Sequence, residues 1–293
     1  MSLFYRVCKL TVGEAGGQGF STSTLRVHFS IDKDPTSQTN KSKISVYNLA
    51  PATIDRFIKE DQVVILEAGY ELDKGLIRMF SGTVAHATNR VERTDVITEL
   101  DVHDGLVPIR DSIASVGYTG GVNGRQVAAD LIGTMGLTAK IAPDVAFANY
   151  PNGFSFCGYS REALDKVCAA AELNWSIQNG VLQITKEGGT TGVMAPLISA
   201  QTGMIGSPER IIKAASQAAT KPGKPRKTRH EKKAGWRVKS LLLPGINPGD
   251  YVAVKSLTTK DTSGWFTIEV VKHDGDTRGQ QFMTTLDLIE VMA

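Results

Sequence analysis

The sequence predicts a mainly β protein carrying an α+β insert, with two related β-units at its ends. Three observations carry that reading. Arg237 to Val254 (RVKSLLLPGINPGDYVAV) and Lys43 to Gly69 (KISVYNLAPATIDRFIKEDQVVILEAG) share one order: strand, Leu-x-Pro break, loop, acidic residue, apolar strand. Downstream of each, Phe80 to Val102 aligns without a gap onto Phe266 to Leu288 at a constant separation of 186, matching Phe80 with Phe266, Val84 with Val270 and Asp101 with Asp287. Between the two units the apolar period changes from two, the period of a half-buried strand, to nearly four, the period of a helix.

The first unit is read as residues 1–105. Phe4 to Thr11 alternates as a strand, Gly13 to Gly19 is a glycine-rich turn, and Leu25 to Ile31 alternates again with Leu25, Val27, Phe29 and Ile31 on one face. These two runs are expected to form a hairpin. Asp32 to Ser42 is polar and rich in turn formers, and is expected to project as a loop before the strand Lys43 to Asn48. Pro51 opens a short helix with Ile54, Phe57 and Ile58 at helical spacing. Strands Gln62 to Ala68, Leu76 to Ala85 and Asp95 to His103 complete the unit, whose many short strands indicate a barrel or sandwich.

Residues 106–190 are the insert. Val127, Leu131, Ile132 and Met135 share a helical face that Gly136 is placed to end. Ser160 is expected to cap a second helix with Glu162 in its first turn and Leu164, Val167, Cys168 and Ala171 as its apolar stripe. Trp175 to Gln178, Asn179-Gly180 and Val181 to Thr185 spell a hairpin with a type I′ turn. Residues 191–293 form the second β-unit, after the Gly188 to Gly192 linker. It is interrupted over residues 213–235 by a basic segment almost without large apolar side chains, expected to be a flexible loop.

The net charge of +3 is unevenly spread: Lys213 to Lys233 holds eight Lys/Arg and one Glu, so the rest of the chain is mildly acidic. No apolar run is long enough to cross a bilayer and no secretory leader is visible, so no membrane anchor is expected. Cys8, Cys157 and Cys168 lack metal-type or paired spacing and read as buried thiols made in a reducing compartment.

The signatures of chemistry are missing. HExxH, paired CxxC, a Walker loop and GxSxG do not occur, and Gly17-Gln18-Gly19 meets Thr22 where a dinucleotide fingerprint needs glycine. His273-Asp274-Gly275-Asp276 is the best catalytic or metal-like cluster, and His103-Asp104-Gly105 repeats its first three residues. No ladder of oxygen ligands continues from it, and Asp-Gly at a strand end is ordinary turn chemistry with both residues tolerating positive φ. No catalytic residue, metal or cofactor is therefore expected. The basic segment asks for an anionic partner, through Lys221, Lys224, Arg226, Lys227, Arg229, Lys232 and Lys233. The absence of interleaved aromatics favours an acidic protein surface over single-stranded nucleic acid, with a merely solvated loop weighing equally.

Met204-Ile205-Gly206-Ser207-Pro208-Glu209, Trp236 to Gly249 and His273 to Gly279, with SVYNLAP at Ser45 to Pro51, EAGY at Glu67 to Tyr70 and FSGTV at Phe80 to Val84, resemble the baseplate hub proteins of contractile-tailed bacteriophages. That family is related to late control protein D and to the N-terminal regions of type VI spikes. The resemblance implies two tail-tube-like β-barrels per chain and a non-enzymatic homotrimer. It further implies a pseudo-sixfold ring joining the sixfold tail tube to a threefold central spike, in a virion baseplate assembled in the host cytoplasm. Its expected partners are tail tube proteins, the spike and a tape-measure protein, with DNA met only during passage. The alternatives are a hub that also cleaves peptidoglycan, and a type VI-like spike or injection component.

Overall fold

The structure is a computed structural model that describes residues 3–213, 233–259 and 262–290. The first β-unit runs β1 (Arg6–Gly13), β2 (Gly19–Thr22), β3 (Val27–Lys33), β4 (Asn40–Tyr47), α1 (Pro51–Phe57), β5 (Val63–Tyr70), β6 (Gly75–Glu92) and β7 (Asp95–Asp104). Side chains alternate along β4 and, from Thr98 onward, along β7, as period-two strands with one face on a core require. Leu10, Val12, Phe29, Ile31, Ile44, Val46, Val64, Leu66, Phe80, Val84, Leu100 and Val102 come from six strands yet form one buried cluster. A sheet whose strands all face one cluster must curl around it.

The insert contains α2 (Leu106–Asp111), β8 (Ile113–Tyr118), β9 (Val122–Asn123), α3 (Gly124–Thr134), β10 (Thr138–Ile141), β11 (Asn149–Tyr150), β12 (Phe154–Tyr159), α4 (Ser160–Ala170), β13 (Leu173–Gln178) and β14 (Val181–Lys186). The predicted helices and hairpin are there. Asn123 caps α3 by accepting a hydrogen bond from the Arg125 N–H at 2.8 Å, and Gly136 follows with φ 66°. Asn179 and Gly180 have φ of 56° and 79°, both positive as a type I′ turn demands. Two expectations fail locally, and one feature comes unannounced. Tyr159, not Ser160, occupies the N-cap of α4; Ser160 is buried and its hydroxyl lies 2.8 Å from that of Thr134. Cys157 is exposed, because β12 pairs only with β8 and turns this side chain outward. Finally, β8 and β12 form a separate two-stranded ribbon that the apolar pattern does not announce.

The C-terminal part contributes β15 (Ile198–Ser199), β16 (Met204–Lys213), β17 (Lys233–Leu241), β18 (Tyr251–Lys255), β19 (Gly264–Asp276) and β20 (Phe282–Glu290). The fold is thus mainly β with an α+β insert, but no closed barrel is present among the described strands. A single 13-stranded sheet runs β16-β17-β20-β19-β3-β4-β7-β6-β5-β1-β2, with β18 beside β19 and β15 beside β18. The expected hairpin of the first two strand runs is replaced accordingly. β1 pairs with β2 and β5, while β3 leaves the first unit on its outer side to pair with β19. The strand that would close one curl instead joins it to the next.

The duplication is visible in the pairing itself. β3-β4-β7-β6-β5 corresponds to β16-β17-β20-β19-β18: Lys43 lies opposite Asp101 as Arg237 lies opposite Asp287, and Thr98 opposite Asn89 as Thr284 opposite His273. The ungapped alignment is two residues out of step along β6 and β19, however. It would match His86 with Lys272, yet His86 faces Asp101 and Lys272 faces Thr285, not Asp287. The connection between β19 and β20 is longer than that between β6 and β7, and the added residues carry the difference.

Candidate functional site at the junction of the β-units

The inward phase of β3 runs Val27, Phe29, Ile31 and then Lys33, so an ammonium arrives where the pattern calls for another apolar side chain. Lys33 is wholly buried, and its Nζ donates to Met79 O at 2.6 Å and to Asn247 Oδ1 at 2.9 Å. The Asn179 amide is satisfied when its oxygen faces the same ammonium and its nitrogen faces Met79 O, each at 3.2 Å. Asp104, at the end of β7, is 1% exposed and accepts from the N–H groups of Asn179 and Gly180. Asp250 is 2% exposed and accepts from Thr191 Oγ1 and Asn247 N, both at 2.9 Å. First unit, insert and second unit therefore meet in one buried polar cluster.

Its electrostatics follow from burial. Loss of water pulls the Lys33 ammonium down to about 8, against the attraction of Asp104 and Asp250. It pushes the Asp104 carboxyl up to about 6, against the two backbone N–H groups and the Lys33 charge that hold it down. Burial raises Asp250 as well. Between those values Lys33 and Asp104 are charged together, each supporting the other in a place where either alone would be costly.

Around this cluster the insert is tied down by amides. Asn40 Nδ2 donates to Ile177 O at 2.9 Å and Gln178 Oε1 at 3.0 Å, and Gln178 Nε2 donates to Asp34 O at 2.7 Å. The stretch Asp32 to Ser42 was expected to be a projecting loop that reaches outward. Instead Lys33, Asn40 and Ser42 are buried, only the turn between β3 and β4 projects, and Asn40 holds the insert hairpin.

The His273–Asp276 run is structural, for reasons other than a turn. His273 is fully buried; Leu243 N donates to Thr284 Oγ1 at 2.9 Å, and that hydroxyl lies 2.8 Å from His273 Nδ1. Burial, with Lys33 nearby, holds the imidazole well below its ordinary pKa, and so neutral. Gly275 does not take positive φ. It is glycine because a Cβ there would lie 2.2 Å from Phe29 Cζ. Asp274 accepts from Ser30 Oγ at 2.7 Å, and Asp276 accepts a forked pair of bonds from Arg26, the shorter 2.6 Å. Burial pushes the Asp276 carboxyl up, but the Arg26 guanidinium and the N–H groups of Arg278 and Gly279 outweigh it and leave it below the ordinary value. The second HDG run is no structural repeat, since it ends β7, whose counterpart is β20, and Gly105 does adopt positive φ, 75°.

Of the predicted basic contact, Lys221, Lys224, Arg226, Lys227, Arg229 and Lys232 lie outside the described residues, and Lys233 begins β17. Among the described residues no group of three or more His, Cys, Asp or Glu could hold a metal ion, and no helix is long and apolar enough to cross a membrane. A solvent-open cleft of about 610 Å³ separates the insert from β19; Asp165 on its wall accepts from Trp175 Nε1 at 2.8 Å. Sequence reasoning missed the junction. The signal was the phase of Lys33, which continues that of Phe29 and Ile31.

No protein-family model and no curated protein matches this sequence. Solved structures do. A tail protein from Neisseria meningitidis superposes with a TM-score of 0.61 at 10% identity, over 98% of this chain and 97% of the other. The 43 kDa tail protein of prophage MuSo2 from Shewanella oneidensis gives 0.60 at 11% identity, over 97% and 98%. An Escherichia coli type VI secretion component, described as similar in structure to the bacteriophage T4 tail proteins gp27 and gp5, gives 0.58 at 10% identity, over 96% of this chain and 77% of that one. The chain has the fold of phage tail proteins along almost its whole length. That fold is the one expected from the hub resemblance, save that neither β-unit closes into a barrel among the described strands.

Proposed function

We propose that this chain is a structural, non-enzymatic hub of a phage tail baseplate, acting as a homotrimer between the tail tube and the central spike. The observation that carries it is the pairing-level duplication: one chain holds two equivalent five-strand arrays joined edge to edge. Three such chains around an axis present six similar units, so one ring faces six tube subunits on one side and three spike chains on the other. The buried Lys33–Asp104–Asp250 junction suits that task, because it fixes the angle between the units that a closed ring requires. On this reading the protein resides in the tail of the virion after assembly in the host cytoplasm, with tube, spike and tape-measure proteins as neighbours.

The likeness to the type VI component supports a second reading, a spike part of a related injection system. Particles purified from producing cells separate the two: a phage hub co-sediments with tails. The trimer itself is tested by light scattering coupled to size exclusion, with trimer expected at micromolar concentrations and a monomer at every concentration counting against the ring. For the basic run, we propose contact with an acidic surface, which deletion of Lys221 to Lys233 should abolish and salt should weaken.

A further inference from the structure

The duplication leaves one seam made and another open. From Val271 to Asp276 the outer edge of β19 is paired with β3. The equivalent segment of β6, matched through Asn89–Thr98 and His273–Thr284, is Ala87 to Glu92. Among the described residues, no strand pairs with its outer edge, because β5 runs out at the Val63–Thr83 pair. The counterpart of β3 is β16, which sits at the end of the sheet with β17 on one side and, among the described residues, no strand on the other. Each chain thus carries one completed seam and both halves of a second.

We propose that the two free edges pair between copies of this chain, Ala87–Glu92 of one antiparallel to Ile205–Ile212 of the next. This rests on the trimeric reading above and supplies its contact. The register transfers from the completed seam. Lys33 faces Val271 and its counterpart is Ile212, so Ala87 lies opposite Ile212. Thr88 then meets Ile211, Asn89 meets Arg210, Arg90 meets Glu209 and Glu92 meets Ile205, with the bulge of β16 opposite Val91.

Three features of these edges fit such a partner. Val91 is 76% exposed, Ile212 67% and Ile205 39%, so apolar side chains stand in water on both strands. Arg90 and Glu209, brought opposite by the register, carry opposite charges and are more than half exposed, with screened pairs to Glu92, Glu99 and Lys239 among the described residues. Unpaired strand edges are also what another chain adds to most readily. The contact is heterologous, β6 to β16, and a heterologous contact makes a ring when its rotation closes.

The test is an Arg90→Cys/Glu209→Cys variant in a Cys157→Ser background, oxidised gently and read on non-reducing gels beside light scattering. Opposed residues in an antiparallel pair lie about 4.5–5.5 Å apart, within disulfide reach. Dimers and trimers linked through these cysteines, with nothing larger and no linkage in either single variant, are the expected result. A trimer that never crosslinks there overturns the seam and leaves the trimer standing, while a monomer at all concentrations overturns both. A ladder that continues past three upholds the seam and overturns the closed ring. As a second readout, Arg90→Glu should weaken association about tenfold, and Glu209→Arg in that background should restore it.

Discussion

The β6–β7 and β19–β20 hairpins are the same device in two settings. Along β19, Val271 and His273 are fully buried against β3, and Asp274 and Asp276 are engaged by Ser30 and Arg26. At the matching positions of β6, Ala87 is half-buried, Asn89 stands exposed and Arg90 holds surface ion pairs. The strands do not differ in backbone pairing to their own hairpin partner. What differs is whether an edge strand has arrived. A position's burial here is therefore a property of the neighbour, and the sequence of each hairpin has been fitted to the neighbour it has.

The largest break in that comparison comes from the residue that makes the closed seam polar. Lys33→Met keeps the length and removes the charge, leaving Asp104 and Asp250 buried without their cation. Met79 O and Asn247 Oδ1 also lose their charged donor, and each such hydrogen bond is worth about 1.5–3 kcal/mol, a loss to be read from urea midpoints at pH 7. Adding Asp104→Asn should return part of it. The pH dependence has a definite sign. Asp104 holds its proton more tightly folded than unfolded, so its contribution is full below the ordinary carboxylate range and lost as pH rises through about 6. Lys33 gives its proton up more readily when folded. Its contribution is full above the ordinary lysine range and lost as pH falls through about 8. The deficit of the double variant against the native protein should accordingly be smallest between pH 6 and 8, where the native protein bears both buried charges; a deficit that does not vary with pH would place the charges in water.

The middle-sized effect contrasts Gly275 with Val91. Alanine at 275 would put its Cβ 2.2 Å from the fully buried Phe29 ring, which has no room to retreat. Overpacking of this kind costs about 1–3 kcal/mol. Val91→Ala, at the matching exposed place, should stay within about 0.5 kcal/mol in dilute solution. Equal shifts at the two positions would mean that β6 already has a neighbour inside the chain.

How much of this the sequence held depends on the period of the signal. A repeat in strands announces itself through alternation, so the duplication, the α+β insert and the Asn179–Gly180 turn were all legible. The same alternation hid the two-residue slip between β6 and β19, because a shift of two keeps every side chain on its own face. Closure was not legible, since nothing in Leu25 to Ile31 says which of two strands its outer edge will meet. The junction was legible in part. Lys33 keeps the inward phase of its strand, but the polar run that follows it reads as loop, and only the fold brings Asn179 and Asn247 to its ammonium.

The finest test compares Ser30 with Glu209, the residues that β3 and β16 place at one equivalent position. Ser30→Ala removes a hydrogen bond to Asp274 across a seam made within the chain, at about 0.5–1.5 kcal/mol, whatever the protein concentration. Glu209→Ala removes an exposed pair with Lys239, worth at most about 0.5 kcal/mol to a dilute monomer. If β16 meets β6 of another copy, its effect is tied to association and must grow with concentration by mass action. Thermal unfolding of both variants over a hundredfold range of concentration separates the cases: a constant shift for Ser30→Ala beside a rising one for Glu209→Ala is expected. A constant shift for both would leave the two hairpins different for some reason other than a missing neighbour.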